Sequence, residues 1–309
     1  MGTNQKIAGV VVTYNRKQLL KRCLGALSCQ EQKPDVVYII DNASTDGTRE
    51  SVKEWGYYEQ VVSGISFKYV LNSKNEGGAG GFYLGIKTAY ESGADAIWVM
   101  DDDGQPNTNC LKGLSVYLEE YDYIAPIVLS DVDHQSCSFA PNFEKREKYI
   151  IVKGVKNGII DNWASPFNGI LYSRKLVEKI GYPKKEMFIW GDEQNYHLRA
   201  INAGMKPITV VDAIHYHPLD RQEKIEYKGY RLTIANSHWK QYCVLRNSWY
   251  NRIHLYKDHV KGCFASLNLL YLYYSYFKHV RKENILSLLI DAYISALFGC
   301  FDGLEKYMK

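Results

Sequence analysis

The first hundred residues alternate between short apolar runs and longer segments whose apolar residues recur at helical spacing. The runs are rich in β-branched residues and predict strands, as is typical of a sheet covered on both faces, at 7–12, 36–40, 67–71 and 96–100. The periodic segments predict helices at 17–30, 48–55 and 82–92, with a glycine-rich loop at 72–81. Because strands and helices alternate, we predict an α/β fold with a mostly parallel sheet and helices on both faces.

Beyond Gly104 the pattern changes to shorter, mixed elements. It indicates hairpin-like material at 139–162 and a helix at Arg174–Ile180 that ends at Gly181. From residue 238 the chain is rich in aromatic and basic residues, which favours a separate helical region. We therefore predict one domain over 1–237, divided into 1–104 and 105–237, and a helical region over 238–309.

Composition changes this picture only modestly. The chain has 309 residues, of which 46% are hydrophobic, and a formal charge of +4, which does not call for nucleic acid as a partner. The seven cysteines lack CxxC spacing, so we expect reduced thiols and no zinc site. No signal-peptide pattern opens the chain, and no apolar stretch reaches the roughly 18 residues of a membrane span. These features predict a cytoplasmic protein.

Three adjacent acids, Asp101, Asp102 and Asp103, follow the fourth predicted strand. Because a strand alternates its faces, residues 101 and 103 can point to one side and chelate Mg²⁺ or Mn²⁺. The alternatives are a solvated acidic turn or the N-cap of a helix at 108–118. Asp41 and the loop at 72–81 also follow predicted strands, and ligands of such sheets bind beyond the carboxyl ends of the strands.

Five motifs resemble, in order and spacing, those of family 2 inverting glycosyltransferases with the GT-A fold. They are VVTYNR (11–16), DNASTDGT (41–48), NEGGAGG (75–81), DDD (101–103) and WGDEQNYHLR (190–199). The resemblance covers about residues 7–217. NEGGAGG followed by Phe82, together with Arg246-Asn247, is most similar to the bacterial galactofuranosyl- and rhamnosyltransferase branch. The resemblance implies a Rossmann-like nucleotide-diphospho-sugar transferase, with a nucleotide-binding half at 1–104 and an acceptor half at 105–237.

The resemblance also implies a binding site for a nucleotide-sugar donor. The residues it assigns to the donor are Thr13, Tyr14, Arg16, Asp41, Asn42, Asn75, Gly77, Gly78, Gly80, Asp101 and Asp102. The glycines would let backbone amides approach the donor phosphates, and no Gly-Lys-Ser/Thr sequence marks a phosphate loop of the nucleoside triphosphatase kind. The alternatives are an ordinary strand-to-helix turn at 13–16, helix capping by Asp41 and a flexible glycine linker.

The catalytic and metal residues complete the implied site. The base that deprotonates the acceptor is Glu193 or Asp192, with a charged helix start as the alternative. The metal is held by Asp101 and Asp103 with His215 or His217, of which His215 is preferred. An acceptor wall of Trp163, Asn168 and Trp190 is expected, although core packing would also explain these residues.

The expected reaction is the metal-dependent transfer of galactofuranose from UDP-galactofuranose to a polyprenyl-linked glycan of the cell envelope. A dTDP-rhamnose donor is the alternative, and UDP-hexopyranoses stay open. The helical region would lie on the inner face of the membrane or form a contact between two copies. Rivals from other classes are a nucleotidyltransferase, for which residues 13–18 lack the basic glycine-rich loop, and a non-catalytic carbohydrate-binding protein.

Overall fold

The computed structural model describes residues 5–139, 147–153, 155, 157–219 and 223–308. The strands are β1 Ile7–Thr13, β2 Val36–Asp41, β3 Val61–Val62, β4 Ile65–Leu71, β5 Ala96–Asp101, β6 Gln105–Pro106, β7 Tyr123–Ser130, β8 Ile159–Asp161, β9 Asn168–Ser173, β10 Pro207–His217, β11 Glu223–Tyr227 and β12 Tyr230–Ile234. The helices are α1 Lys17–Ser28, α2 Thr48–Glu54, α3 Gly77–Glu91, α4 Cys110–Ser115, α5 Lys148–Ile151, α6 Arg174–Ile180, α7 Asp192–Asn202, α8 His238–His254, α9 His259–Tyr276 and α10 Leu286–Phe298. A π-helical turn at Phe277–Arg281 joins α9 to α10, and 3₁₀ turns lie at Lys185–Met187 and Leu304–Tyr307. Part of the predicted hairpin-like segment 139–162 lies outside the described residues.

Within these residues, ten strands form one mixed sheet in the order β3-β4-β2-β1-β5-β9-β7-β10-β6, with β8 paired to β10. Strands β4, β2, β1 and β5 are parallel neighbours, as are β7 and β10. Strand β9 is antiparallel to both β5 and β7 and so joins the two parallel groups. The predicted mostly parallel α/β sheet is confirmed, and each of the four predicted strands lies within an observed one.

Two apolar layers cover the sheet, one on each face. Val11 packs with α1, α2 and α4 on one side, whereas its neighbour Val10 packs with α3, α6 and α7 on the other. Consecutive residues of a strand point to opposite faces, so both must be apolar when both faces are covered. This is why β1 shows a continuous apolar run.

The glycine-rich segment is a helix start, and its prediction as a loop up to residue 81 was wrong. Helix α3 begins at Gly77 and lies directly on β1. A Cβ at Gly81 would lie 2.4 Å from Val12 Cγ1, and one at Gly85 would lie 2.3 Å from Val10 Cγ1. Tertiary packing therefore outweighs the low helix propensity of glycine here.

The helical region packs around an apolar cluster that also includes Leu232 and Ile234 of β12. Helices α8, α9 and α10 pack together around Trp249, Tyr273 and Leu289. Helix α8 also contacts α7. The division of the chain at residue 238 stays a prediction. In the described ranges no helix has the length and apolar character required to cross a bilayer, and none of the seven cysteines forms a disulfide.

Candidate active site

A cleft of about 1330 Å³ opens at the carboxyl ends of β1 and β5. It is bordered by the starts of α3 and α7, the end of β10, strand β12 and the start of α8. Ligands of open α/β sheets bind at this edge. The cleft therefore lies where the strand-end residues were expected to meet.

Two acids and a histidine converge in the cleft. One ligand atom each from Asp101, Asp103 and His217 lies within 4.8 Å of the others. Burial, together with the charges of Asp103 and Asp102, raises the pKa of Asp101 to about 8. Two carboxylates and an imidazole form a donor set suited to Mn²⁺ or Mg²⁺, and a cation would offset both the burial of the Asp101 charge and its repulsion by the neighbouring acids.

The ring of His217 is oriented toward these acids. Its Nδ1 lies 2.7 Å from the carbonyl oxygen of Pro218, which fixes Nδ1 as the donor and turns Nε2 toward Asp103 Oδ1 at 3.1 Å. Burial lowers the pKa of His217, but the hydrogen bond to Asp103 and its charge outweigh this and raise the pKa. His217 is thus held as a potential ligand by its own backbone neighbour.

His215 lies deeper in the sheet than His217. Its fully buried ring is enclosed by two glycines: a Cβ at Gly104 would lie 2.3 Å from Nε2, and one at Gly169 would lie 2.5 Å from Nδ1. Neither ring nitrogen has a hydrogen-bond partner in the described part of the chain, and burial lowers the pKa of His215 to about 3. The preference for His215 is therefore reversed. Strand β10 points both rings the same way, but only His217 reaches the acids.

The middle acid, Asp102, is bound to β1 and not grouped with the other two. Thr13 Oγ1 donates to Asp102 Oδ2 at 2.7 Å, and Arg16 Nη1 lies 3.4 Å from Asp102 Oδ1 and 3.1 Å from Asp103 Oδ2. Burial raises the pKa of Asp102 to about 6, against the lowering effect of Arg16 and Thr13. The predicted donor residues Thr13 and Arg16 thus position the acids, while the half-exposed Arg16 guanidinium still faces the cleft.

The other predicted donor residues fall into two groups. Tyr14, Asn42, Asn75, Gly77 and Gly78 line the cleft. Asn42 Nδ2 donates to Gly77 O at 2.7 Å and to Asn75 Oδ1 at 3.0 Å, so it also ties β2 to the start of α3.

Asp41 and Gly80 are placed away from the cleft surface. Asp41 is buried and accepts hydrogen bonds from Ser44 N at 2.8 Å and from the hydroxyl of Tyr69. A Cβ at Gly80 would lie 2.3 Å from Glu76 Cβ. Both residues therefore support the wall of the cleft without lining it.

The two candidate bases open helix α7. Asp192 and Glu193 both line the cleft, with Asp192 buried and Glu193 partly exposed. Burial, the charge of Glu193 and a hydrogen bond between the two side chains raise the pKa of Asp192 well above its usual range. Glu193 Oε2 also accepts from Gly191 N at 2.9 Å. The pair can hold one proton between its carboxyl groups.

The loop before α7 has an unusual backbone that needs support. Phe188, Trp190 and Gly191 have positive φ angles of 67°, 58° and 92°. For a non-glycine residue a positive φ costs free energy, so such a conformation persists only when the surrounding structure holds it. The loop also meets α3, since Ala79 N donates to Phe188 O at 3.0 Å.

Helix α8 supplies that support through two asparagines. Asn247 Nδ2 lies 2.9, 3.0 and 2.7 Å from the carbonyl oxygens of Met187, Ile189 and Trp190, respectively. Asn251 Nδ2 donates to the carbonyl of Gly191 at 2.8 Å. Asn247 belongs to a segment that resembles the family, but the resemblance implied no role for it. The available signal was a pair of asparagines one helical turn apart in a predicted helical region.

Of the three predicted acceptor residues, two reach the cleft. Asn168 and Trp190 line it, whereas Trp163 packs against a small core cluster around Leu129. The helical region contributes further residues that the sequence analysis missed, namely Trp239, Lys240, Arg281 and Met308. These residues lie far along the chain from the five motifs, so no motif pointed to them.

The chain matches a glycosyltransferase family model and is similar to known glycosyltransferases. The family model described as Glycosyl transferase family 2 matches residues 10–181. The galactofuranosyltransferase GlfT1 of Mycolicibacterium smegmatis is 29% identical over 81% of this chain and 84% of its own length. The dTDP-rhamnosyl transferase RfbF of Shigella flexneri is 25% identical over 83% of this chain and 82% of its own.

Solved structures share the fold. Residues 1–349 of TarS from S. aureus in complex with UDP match with a TM-score of 0.57 at 17% identity, covering 97% of this chain and 83% of that one. The mannosyltransferase PcManGT from Pyrobaculum calidifontis, in complex with GDP-Man and Mn²⁺, matches with a TM-score of 0.55 at 16% identity, covering 96% and 88%. The expected GT-A fold is confirmed.

Proposed function

Because the chain belongs to glycosyl transferase family 2, we propose that its cleft transfers galactofuranose from UDP-galactofuranose to a lipid-linked glycan at the inner face of the membrane. The observation that carries the proposal is the meeting of the Asp101–Asp103–His217 group and the Asp192–Glu193 pair in one cleft. The identity of 29% with a galactofuranosyltransferase over most of both chains supports the choice of sugar.

Asp101, Asp103 and His217 would hold the divalent cation, which when bound neutralises charge on the leaving nucleoside diphosphate. Asp102 stays with Thr13 and Arg16 and faces the donor. The half-exposed Arg16 guanidinium meets a donor phosphate, a role for which its planar set of donors is suited. Tyr14, exposed at the rim of the cleft, stacks on the nucleotide base.

The Asp192–Glu193 pair removes the proton from the attacking acceptor hydroxyl. An inverting transfer is one in-line displacement, so the base must accept that proton as the new bond forms. Burial and the charge of Glu193 raise the pKa of Asp192, which makes its deprotonated form a stronger base than an ordinary carboxylate. The hydrogen bond from Gly191 N holds Glu193 beside it, so the two act together.

A dTDP-rhamnose donor is the second candidate, because RfbF is similar over nearly the same share of the chain. Purified protein is incubated with Mn²⁺, a lipid-linked glycan acceptor and either UDP-galactofuranose or dTDP-rhamnose. We expect transfer from UDP-galactofuranose, an inverted anomeric centre by NMR and loss of turnover in Asp103→Ala. Transfer from dTDP-rhamnose alone would refute the choice of donor. Unchanged transfer by Asp103→Ala would refute the metal site.

A further inference from the structure

Helices α9 and α10 each expose an apolar stripe. The spacing of the residues places each set on one face of its helix: Val260, Phe264, Leu267 and Tyr271 on α9, and Leu286, Ile290, Ile294 and Phe298 on α10. Phe264 and Phe298 are 68% and 72% exposed, while the opposite faces of both helices pack in the cluster around Trp249. The stripes are therefore additional to the core.

We call the two stripes together the α9–α10 face. The helices that carry them pack against each other, so the stripes lie on neighbouring elements of the surface. Single exposed apolar residues are ordinary on proteins, whereas grouped ones mark interaction sites. Eight large apolar side chains on two adjacent helices therefore point to an interaction with an apolar partner.

The charges beside this face favour an anionic lipid surface as the partner. Residues 259–282 contain no Asp or Glu but four exposed basic residues, namely Lys261, Lys278, Arg281 and Lys282. Two of them lie near acids at the ends of this segment, Lys261 at 3.3 Å from Asp258 and Arg281 at 4.0 Å from Glu283, so the segment with its flanking acids keeps a net positive charge. Apolar side chains flanked by Lys and Arg are the composition of helices that lie in the interface of an anionic bilayer. A two-fold contact between copies would instead bring this cationic segment against itself.

The basic end of the α9–α10 face also reaches the cleft. Arg281, in the turn between the two helices, lines the cleft together with Lys240 from α8. We propose that the α9–α10 face docks on an anionic bilayer and holds the cleft at the membrane surface, where Arg281 meets the phosphate of a lipid-linked acceptor. The acceptor half of this inference rests on the proposed function, whereas the docking half does not.

The docking half is tested by flotation of the full chain with vesicles of phosphatidylcholine, with or without phosphatidylglycerol. We expect binding to the anionic vesicles that weakens with added salt. The double variant Phe264→Ser/Phe298→Ser should bind at least tenfold more weakly, because two apolar anchors are lost. Val116→Ser, an equally exposed apolar residue after α4, should bind like the wild type.

Three results would overturn the inference. These are failure of the wild type to bind anionic vesicles, equal binding by the double variant, or a wild-type dimer in sedimentation that the double variant dissolves. Turnover separates the two halves: the double variant should match the wild type on a water-soluble glycan acceptor and fall behind on one embedded in vesicles. A wild type inactive on both acceptors would count against the proposed function and leave the vesicle result standing.

Discussion

Replacing Asn247 by alanine removes the donor that three loop carbonyls share. The carbonyl of Met187 keeps Arg246 Nη2 at 2.9 Å, but those of Ile189 and Trp190 lose the amide that lies 3.0 and 2.7 Å away. Each carbonyl left without a partner costs about 1–2 kcal/mol, so we expect Asn247→Ala to lower the free energy of unfolding by about 2–4 kcal/mol. In a chain of this size that corresponds to a fall in Tm of roughly 3–6 °C.

The same substitution should impair turnover, because the freed loop leads directly into Asp192 and Glu193. A displacement of about 1 Å at reacting groups costs on the order of 100-fold in rate. Asn247→Asp keeps the shape but turns an oxygen toward the three carbonyls, so it should be at least as damaging as alanine. Asn268→Ala on the exposed side of α9 is the matched control and should change neither quantity. Calorimetry measures the Tm, and steady-state transfer assays measure kcat. An Asn247→Ala protein with the wild-type Tm and kcat would show that the loop before α7 keeps its conformation without Asn247.

Three further predictions concern the metal group and the sheet. His217→Gln should weaken Mn²⁺ binding in calorimetry by about tenfold or more, whereas His215→Ala should leave it within about twofold; the reverse order would restore His215 as the ligand. Since the pKa of Asp101 is about 8, this carboxyl must lose a proton before it binds a cation, so Mn²⁺ affinity should fall as pH drops below about 8. Titrations across that range check it, and Asp101→Asn should flatten the dependence. Gly85→Ala should destabilise the protein by about 1–3 kcal/mol because its Cβ meets Val10, while Gly25→Ala in α1, with nothing within 4 Å, should stabilise it by about 0.5–1 kcal/mol. Denaturant unfolding that gave both the same sign would contradict the packing described for α3.

The parts of the site that the sequence predicted are those set by local pattern. The apolar run before Asp101 identified a buried strand, and parallel strands end at one edge of their sheet, so the acids could be located without coordinates. Asp192 and Glu193 were located by their family motif at a helix start. The sequence could not decide between His215 and His217, because periodicity gives the direction of a side chain and not its depth below the surface.

The remaining parts depend on contacts between distant segments. The support of the loop by Asn247 joins residues about sixty positions apart, and the lining of the cleft by Arg281 brings in a turn far beyond the five motifs. Helix α3 begins earlier than predicted, at a run of glycines. Some of these glycines are needed because a larger residue would overlap the side chains of β1. Neither propensity nor spacing carries that information.

The seam of glycines between α3 and β1 also limits how this protein can be made more heat-resistant. Exchanging helical glycines for alanine is a common route to a higher Tm, since it restricts the unfolded chain. At Gly81 and Gly85 that route is closed, because the added methyl group would enter Val12 or Val10. Positions such as Gly25, where an added methyl group meets no other atom, are better choices. Most substitutions at Gly81 or Gly85 would push α3 away from β1.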